Sequence, residues 1–125
     1  MMLPGKRLLC AAGLLMLMAG CSTPSVQELS QMQPSGSEFN KTLAKEYASL
    51  AQFETEMVDP LDADRFAQKG IKAANNEATL PDVVWSRDIP PEHVARLEDA
   101  RSRLMQAYDH DVKTRYPMEA AVAQG

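Results

Sequence analysis

The chain has 125 residues, a formal net charge of −4, two cysteines and an apolar content of 45%. This length allows one domain at most. Because a chain this short must first bury a core, we expect a protein that is not an enzyme. The acidic balance disfavours a general nucleic-acid binder, and two cysteines are too few for a disulfide-dense scaffold.

Residues 1–20 have the composition of a secretory signal. They carry Lys6 and Arg7 near the start, an apolar run over residues 8–18, and small residues before Cys21. This order of basic start, apolar middle and small residues is typical of a signal that is removed by cleavage. The apolar run is too short to span a bilayer, which takes about 20 residues.

The sequence Met18-Ala19-Gly20-Cys21 resembles the lipobox of bacterial lipoproteins, with Met18 where that family prefers leucine. The resemblance implies a diacylglycerol on the Cys21 thiol, cleavage between Gly20 and Cys21, and acylation of the new amino terminus. Ser22 in place of aspartate implies sorting to the outer membrane, facing the periplasm, rather than retention in the inner membrane. The alternatives are an ordinary signal peptide with a chance cysteine, or an uncleaved anchor.

Removal of the first 20 of the 125 residues leaves 105, and the loss of two basic residues lowers the net charge from −4 to −6. Cys10 leaves with the signal and Cys21 becomes a thioether, so the mature chain keeps no free thiol. Serine, glutamine and proline dominate the residues that follow. We expect a lipidated flexible tether over residues 21–36, which holds the domain away from the membrane.

Two helices are predicted next. The first begins near Ser35 or Ser37, and its apolar residues recur at helical spacing at positions 39, 43, 47, 50, 53 and 57. The second begins at Pro60, with Asp59 as its cap. Its apolar face is mostly alanine and glycine, which predicts close packing against the first helix, and Gly70 is expected to serve that approach. We predict a helical hairpin.

A loop follows over residues 76–91, with the chain's one tryptophan, Trp85. We expect Leu80, Val84, Trp85 and Ile89 to fold over the helices as a lid, with a ligand or partner contact through Trp85 as the alternative. A third helix is predicted after Asp88, as a possible cap, to about residue 116. Residues 117–125 are expected to be a tail, since an isolated helix of that length is marginal.

The predicted fold class is therefore all-α, a small helical hairpin or three-helix bundle over residues 37–116 that follows a flexible amino-terminal tether. Residues 39–47, 64–70, the 80–81 loop with Trp85, and 100–104 resemble the helical region of OmpA-like outer-membrane lipoproteins of alphaproteobacteria. In those relatives an OmpA-like domain that grips peptidoglycan follows, whereas this sequence ends at Gly125. No peptidoglycan-binding residue is therefore carried over, and a shortened copy of a longer lipoprotein is one interpretation.

The hairpin also resembles a single tetratricopeptide-like unit, through Tyr47, Ala63, Phe66-Ala67 and Ala73-Ala74. One unit is weak evidence, because a solenoid needs about three repeats to bury its faces.

Few residues suggest chemistry. Asp109-His110-Asp111 is the one cluster that suggests a metal, but neighbouring residues on a helix point in different directions, so we expect a solvated polar face instead. Asp59, Asp62 and Asp64 lack the glycine and the later glutamate of a calcium loop. We therefore expect no catalytic residue, no metal and no cofactor.

The sequence predicts an outer-membrane-anchored periplasmic lipoprotein that acts as a helical structural or protein-interaction module of the cell envelope. Its expected partners are the membrane, through the lipid, and an envelope protein or a second copy of the chain. Trp85, Tyr47 and Phe53 are the candidate contact residues. The alternatives are a module that binds peptidoglycan or a small ligand, and a truncated OmpA-like lipoprotein.

Overall fold

The computed structural model describes residues 22–125, so the predicted cleavage and lipidation site at Gly20 and Cys21 lies outside the described residues. This range contains six α-helices, one turn of 3₁₀ helix and no strand, which confirms the predicted all-α class. The helices are α1 (Pro24–Gln31), α2 (Glu38–Glu56), α3 (Pro60–Ala74), α4 (Pro91–Tyr108), α5 (Val112–Arg115) and α6 (Pro117–Gln124), and the 3₁₀ turn is Val84–Ser86. No helix in the described range is long and apolar enough to cross a membrane.

The predicted hairpin of α2 and α3 forms the centre of the fold. The Ser37 hydroxyl caps α2 by accepting from the Asn40 amide at 3.1 Å, and the Asp59 carboxylate caps α3 by accepting from the Asp62 amide at 3.1 Å. Ser35, the other predicted cap of α2, donates instead to the Ala74 carbonyl at 3.1 Å. The expected inner face of α3 is buried at Ala63, Ala67, Gly70 and Ala74. The expected face of α2 is buried at Phe39, Leu43 and Tyr47 and half-buried at Leu50, but the prediction is wrong for Phe53 and Met57, which are 54% and 63% exposed.

Helix α1 occupies part of the segment predicted to be a flexible tether, so that prediction is wrong over Pro24–Gln31. Leu29 of α1 is buried against α3, where a Cβ added at Gly70 would lie 2.5 Å from a Leu29 methyl group. The predicted role of Gly70 in close packing is confirmed, with α1 as the main neighbour. A helix of eight residues is marginal alone, and α1 forms because the hairpin covers its apolar side.

Helix α6 corrects the prediction of a tail over residues 117–125. Ala120 and Ala121 are 3% and 0% exposed, and α6 packs against α2. Gln124 is also buried, and its amide donates to the Thr79 carbonyl at 2.8 Å and to the Tyr47 hydroxyl at 3.3 Å. The domain therefore extends beyond the predicted 37–116 at both ends, since α1 and α6 complete the core.

The predicted third helix ends earlier and packs less than expected. Helix α4 stops at Tyr108, and Asp111 adopts a left-handed conformation with φ of 58° before α5 begins. Aspartate tolerates this conformation better than most residues. Asp88 is not the cap, because Pro90 holds that position without a side-chain hydrogen bond. None of the residues of Pro91–Tyr108 is buried, so the apolar side of α4 lies at the edge of the bundle rather than in its core.

Candidate partner-contact surface at Trp85

The structure separates the three residues predicted as partner contacts. Tyr47 is 2% exposed, so its assignment as a contact residue is wrong. It lies on the same face of α2 as Leu43 and Ala51, which are spaced by one helical turn and buried against α3. Phe53, 54% exposed, and Trp85, 82% exposed, remain accessible on two different elements.

The loop between α3 and α4 does not form the predicted lid. Trp85 is 82% exposed and Leu80 is 55% exposed, whereas Val84 is buried and Ile89 is half-buried. A 3₁₀ helix has three residues per turn, so neighbouring side chains point about 120° apart. The burial of Val84 therefore directs the adjacent Trp85 outward.

Hydrogen bonds fix the backbone on which Trp85 lies. The Ser86 amide donates to the Val83 carbonyl at 3.0 Å, and the Ser86 hydroxyl donates to the same oxygen at 2.7 Å. The Arg87 amide donates to the Val84 carbonyl at 3.1 Å. We refer to residues 83–87, with Trp85 at their centre, as the Trp85 turn.

An ion-pair network holds the Trp85 turn against α3. The Arg87 guanidinium lies 2.8 Å from the Asp62 carboxylate and 3.5 Å from that of Asp82, and the Lys69 ammonium lies 2.6 Å from Asp82. These side chains are 15–32% exposed, so solvent screens the pairs only in part. The guanidinium also lies 4.9 Å from the centroid of the Phe66 ring, which adds a cation–π contact.

Arg101 connects α4 to the same loop. Its Nε donates to the Asp82 carbonyl at 2.9 Å, and a terminal nitrogen donates to the Pro81 carbonyl at 3.5 Å. The loop is therefore held by α3 on one side through Asp82 and by α4 on the other through Arg101. The backbone of the Trp85 turn is therefore held from both sides.

A cavity of about 280 Å³ lies beneath this arrangement, between the loop, α3 and α4. Apolar side chains such as Phe66, Leu97 and Leu104 line it. Lys69, Arg87 and Arg101 bring three cations to its wall, and Asp82 and Asp62 are paired with the first two. Such a cavity is suited to a small ligand that combines an apolar part with a negative charge.

A second cluster joins α5 to the core. The Lys113 ammonium lies 4.0 Å from the Tyr108 ring centroid and 4.8 Å from that of Phe39. Burial lowers the pKa of Lys113 from its ordinary value. Burial first, and then the nearby Tyr47, raises the pKa of Tyr108, whose hydroxyl donates to Gln124 at 2.7 Å. The cation–π contacts of Lys113 and the hydrogen bond of Tyr108 therefore connect α5 and the end of α4 to α2 and α6.

Sequence reasoning missed the residues that fix the Trp85 turn. Lys69 and Asp82 are 13 positions apart, and Asp62 and Arg87 are 25 apart, so no local spacing indicates either pair. Arg101 could have been identified from the sequence in one way: it is a charged residue that interrupts the apolar stripe of α4. Among the described residues, 22–125, no group of three or more histidine, cysteine, aspartate or glutamate side chains could hold a metal ion.

Comparisons of this chain with protein-family models, with curated proteins and with solved structures found no match.

Proposed function

We propose that the chain is a lipoprotein of the bacterial outer membrane, anchored through lipidated Cys21, whose periplasmic helical domain recruits an envelope protein through the Trp85 turn. The observation that carries the recruiting role is Trp85 itself, 82% exposed on a turn fixed from two sides. Tryptophan is enriched at the energetic centres of protein interfaces. A backbone segment already held in place loses less conformational entropy on binding. The proposal includes no catalytic role and no nucleic-acid partner.

The lipobox-like residues Met18 to Cys21 support the anchor. The test is to replace Cys21 with serine and to follow incorporation of labelled palmitate in cells. The proposal expects loss of the label and of membrane association. Cys10→Ser is the matched control, because Cys10 leaves with the signal and the variant should keep both properties. Labelling of Cys21→Ser at the level of the unaltered protein would reject the anchor.

The recruiting role is tested by crosslinking in cells followed by mass spectrometry. Trp85→Ala removes the exposed ring, and Asp88→Ala changes an exposed residue next to the same turn. We expect the crosslinked partner to be lost in Trp85→Ala and retained in Asp88→Ala. A second copy of this chain among the crosslinked products would identify the partner as self-association. Equal crosslinking of the two variants would contradict a contact through Trp85.

A second candidate function is the binding of peptidoglycan or of a small anionic ligand. It is favoured by the cavity that Lys69, Arg87 and Arg101 line beside apolar side chains. The test is retention of the purified mature protein on isolated peptidoglycan sacculi, with Lys69→Gln as the comparison. Retention that this variant weakens would support the ligand-binding function. Passage through without retention would leave the protein-recruiting proposal as the better account.

A further inference from the structure

The α2–α3 connection exposes a group of large apolar side chains. Phe53 is 54% exposed, Met57 63%, Val58 82% and Leu61 80%. We refer to residues 53–61 as the hairpin tip. Single exposed apolar residues are ordinary on a protein surface, but four within nine positions at one turn form a patch of the kind that marks a binding or membrane-contact site.

The backbone of the tip is also unusual. Val58 has a φ of 61°, in the left-handed region. Glycine and asparagine tolerate this conformation, whereas a β-branched residue is strained in it. A valine at this position therefore adds apolar surface at the apex of the turn at a cost in conformational energy.

The start of the described chain lies at the same end of the bundle as the hairpin tip. Ser22 lines a groove together with Gln52 and Thr55 on the last turns of α2. From there α1 runs away from the tip, because Leu29 packs at Gly70. After α1, Ser35 is bonded to the last residue of α3, Ala74, at the opposite end. The chain thus enters the domain beside the tip and crosses to the far end.

Cys21 is joined directly to Ser22 by a peptide bond, with no linker residue between them. The Gln27 side chain donates to the Ser22 hydroxyl at 3.1 Å, and the Thr23 hydroxyl accepts from the Val26 amide at 3.4 Å, so the backbone is tied from Ser22 onward. Consecutive Cα atoms are about 3.8 Å apart. A lipid on Cys21 is therefore attached one residue from the groove.

We infer that the hairpin tip rests in the headgroup region of a zwitterionic lipid bilayer, with Phe53, Met57, Val58 and Leu61 as its apolar contacts. The inference rests on the proposed lipid anchor at Cys21, which places the bilayer beside Ser22. Apolar surface at a membrane interface enters about 5–10 Å into the boundary between headgroups and acyl chains. The domain then lies on the membrane rather than at the end of a flexible tether.

The charges around the tip select the type of lipid surface. Glu54, Glu56 and Asp59 lie within it, and anionic headgroups would repel these carboxylates. By contrast, none of the ten described residues that line the groove beside Ser22 is charged. A zwitterionic surface avoids the repulsion and still accepts the apolar side chains.

The test uses the full lipidated protein in phosphatidylcholine–phosphatidylethanolamine vesicles that contain a lipid with a nitroxide at the headgroup. The mature chain has no thiol besides Cys21, so Leu61→Cys can be labelled with a fluorophore at one position. Ser102→Cys on α4 is the matched control, an exposed residue of a helix that packs against the 3₁₀ turn and α5. We expect loss of fluorescence at position 61 and none at position 102.

The outcomes separate the inference from the anchor. Flotation of the protein with the vesicles and equal fluorescence at the two positions would overturn membrane contact by the tip and leave the anchor intact. Failure to float would overturn the anchor and the inference together. A disulfide between two unlabelled Leu61→Cys chains, together with no quenching of the labelled protein, would show that a second copy covers the tip, and would overturn the inference. Weaker quenching after addition of phosphatidylglycerol at low salt would support the choice of zwitterionic lipid, and stronger quenching would overturn it.

Discussion

Two parts of this molecule are held together by different interactions. The bundle of α1, α2, α3 and α6 buries small and apolar side chains, with Leu43, Ala67 and Ala121 at 0% exposure. The arm formed by the Trp85 turn and α4 buries one apolar residue, Val84, and is held by ion pairs and by Arg101. Packing supplies stability in the bundle, whereas polar contacts fix position in the arm. Changes in the two parts should therefore affect different observables.

The largest effect is expected from a cavity in the bundle. Leu43→Ala should lower the free energy of unfolding by about 3 kcal/mol, because Leu43 is fully buried and its neighbours cannot fill the space. Leu97→Ala on α4 is the control, since Leu97 is 37% exposed and should cost well under half as much. Urea unfolding followed by circular dichroism measures both. Similar losses for the two variants would remove the distinction between bundle and arm.

A smaller loss in the free energy of unfolding is expected at the contact between the bundle and the arm. Gln124→Met keeps the volume of the side chain but removes the amide that donates to the Thr79 carbonyl and to the Tyr47 hydroxyl. The loss of this donor to two buried polar groups should cost about 2 kcal/mol. The same urea experiment measures this loss, with Gln106→Met as the control, because Gln106 is exposed on α4. A stability equal to that of the control would contradict the role assigned to Gln124.

A change in the arm should affect position more than stability. Asp82→Asn removes the carboxylate shared by Lys69 and Arg87, and should cost less than about 1 kcal/mol because the pairs are partly exposed. Trp85 is the chain's single tryptophan, so its fluorescence anisotropy reports on this turn alone. We expect the anisotropy to fall in Asp82→Asn and to stay unchanged in Asp99→Asn, where the aspartate pairs with Arg103 on the exposed side of α4. Unchanged anisotropy in Asp82→Asn would show that the ion pairs do not fix the turn.

The smallest effect is a pH dependence at alkaline pH. Burial raises the pKa of Tyr108 above its ordinary value of 10.0, so the folded protein keeps this proton to higher pH than the unfolded chain. Its contribution is therefore fully present below pH 10.0 and is lost as the pH rises further. Lys113 acts with the opposite sign. Its pKa in the folded protein is lower than 10.5, its ordinary value, so the free energy of unfolding rises with pH between the folded-state pKa and 10.5.

The measurement for this pH dependence is the urea midpoint as the pH is raised through 10.0, for the unaltered protein and for Tyr108→Phe. The variant should show a shallower decline, and it should be less stable below pH 10.0, where the Tyr108 hydroxyl of the unaltered protein donates to Gln124. If the urea midpoint fell equally steeply with pH in both proteins, a group other than Tyr108 would be responsible for the loss of stability.

The hairpin could be predicted from the sequence because its signals are local. Apolar residues recur at helical spacing, and Asp59 and Pro60 mark the boundary between α2 and α3. Gly70 interrupts the alanine face of α3 because a larger residue there would collide with Leu29. Helices α1 and α6 were missed because each has eight residues and forms only when the hairpin covers it.

The candidate surface could be predicted only in part. For Trp85 the sequence left two alternatives, packing in a lid or contact with a ligand or partner. Which of them applies depends on whether Val84 or the adjacent Trp85 is buried. The contacts that decide this join residues 13 to 25 positions apart, which no periodicity indicates. Tyr47 was predicted both as part of the apolar stripe of α2 and as a contact residue, and its 2% exposure confirms only the first.

The hydrogen bond between Gln124 and Tyr47 joins residues 77 positions apart, and the one between Gln124 and Thr79 spans 45. The first bond joins α6 to α2, and the second joins α6 to the loop that follows α3. A protease that cuts between the exposed residues Glu77 and Ala78 would therefore leave two fragments that are held together without a covalent link, because α6 packs against α2. Fragments cleaved there should reassociate when mixed, and each alone should lack the partner that completes its core.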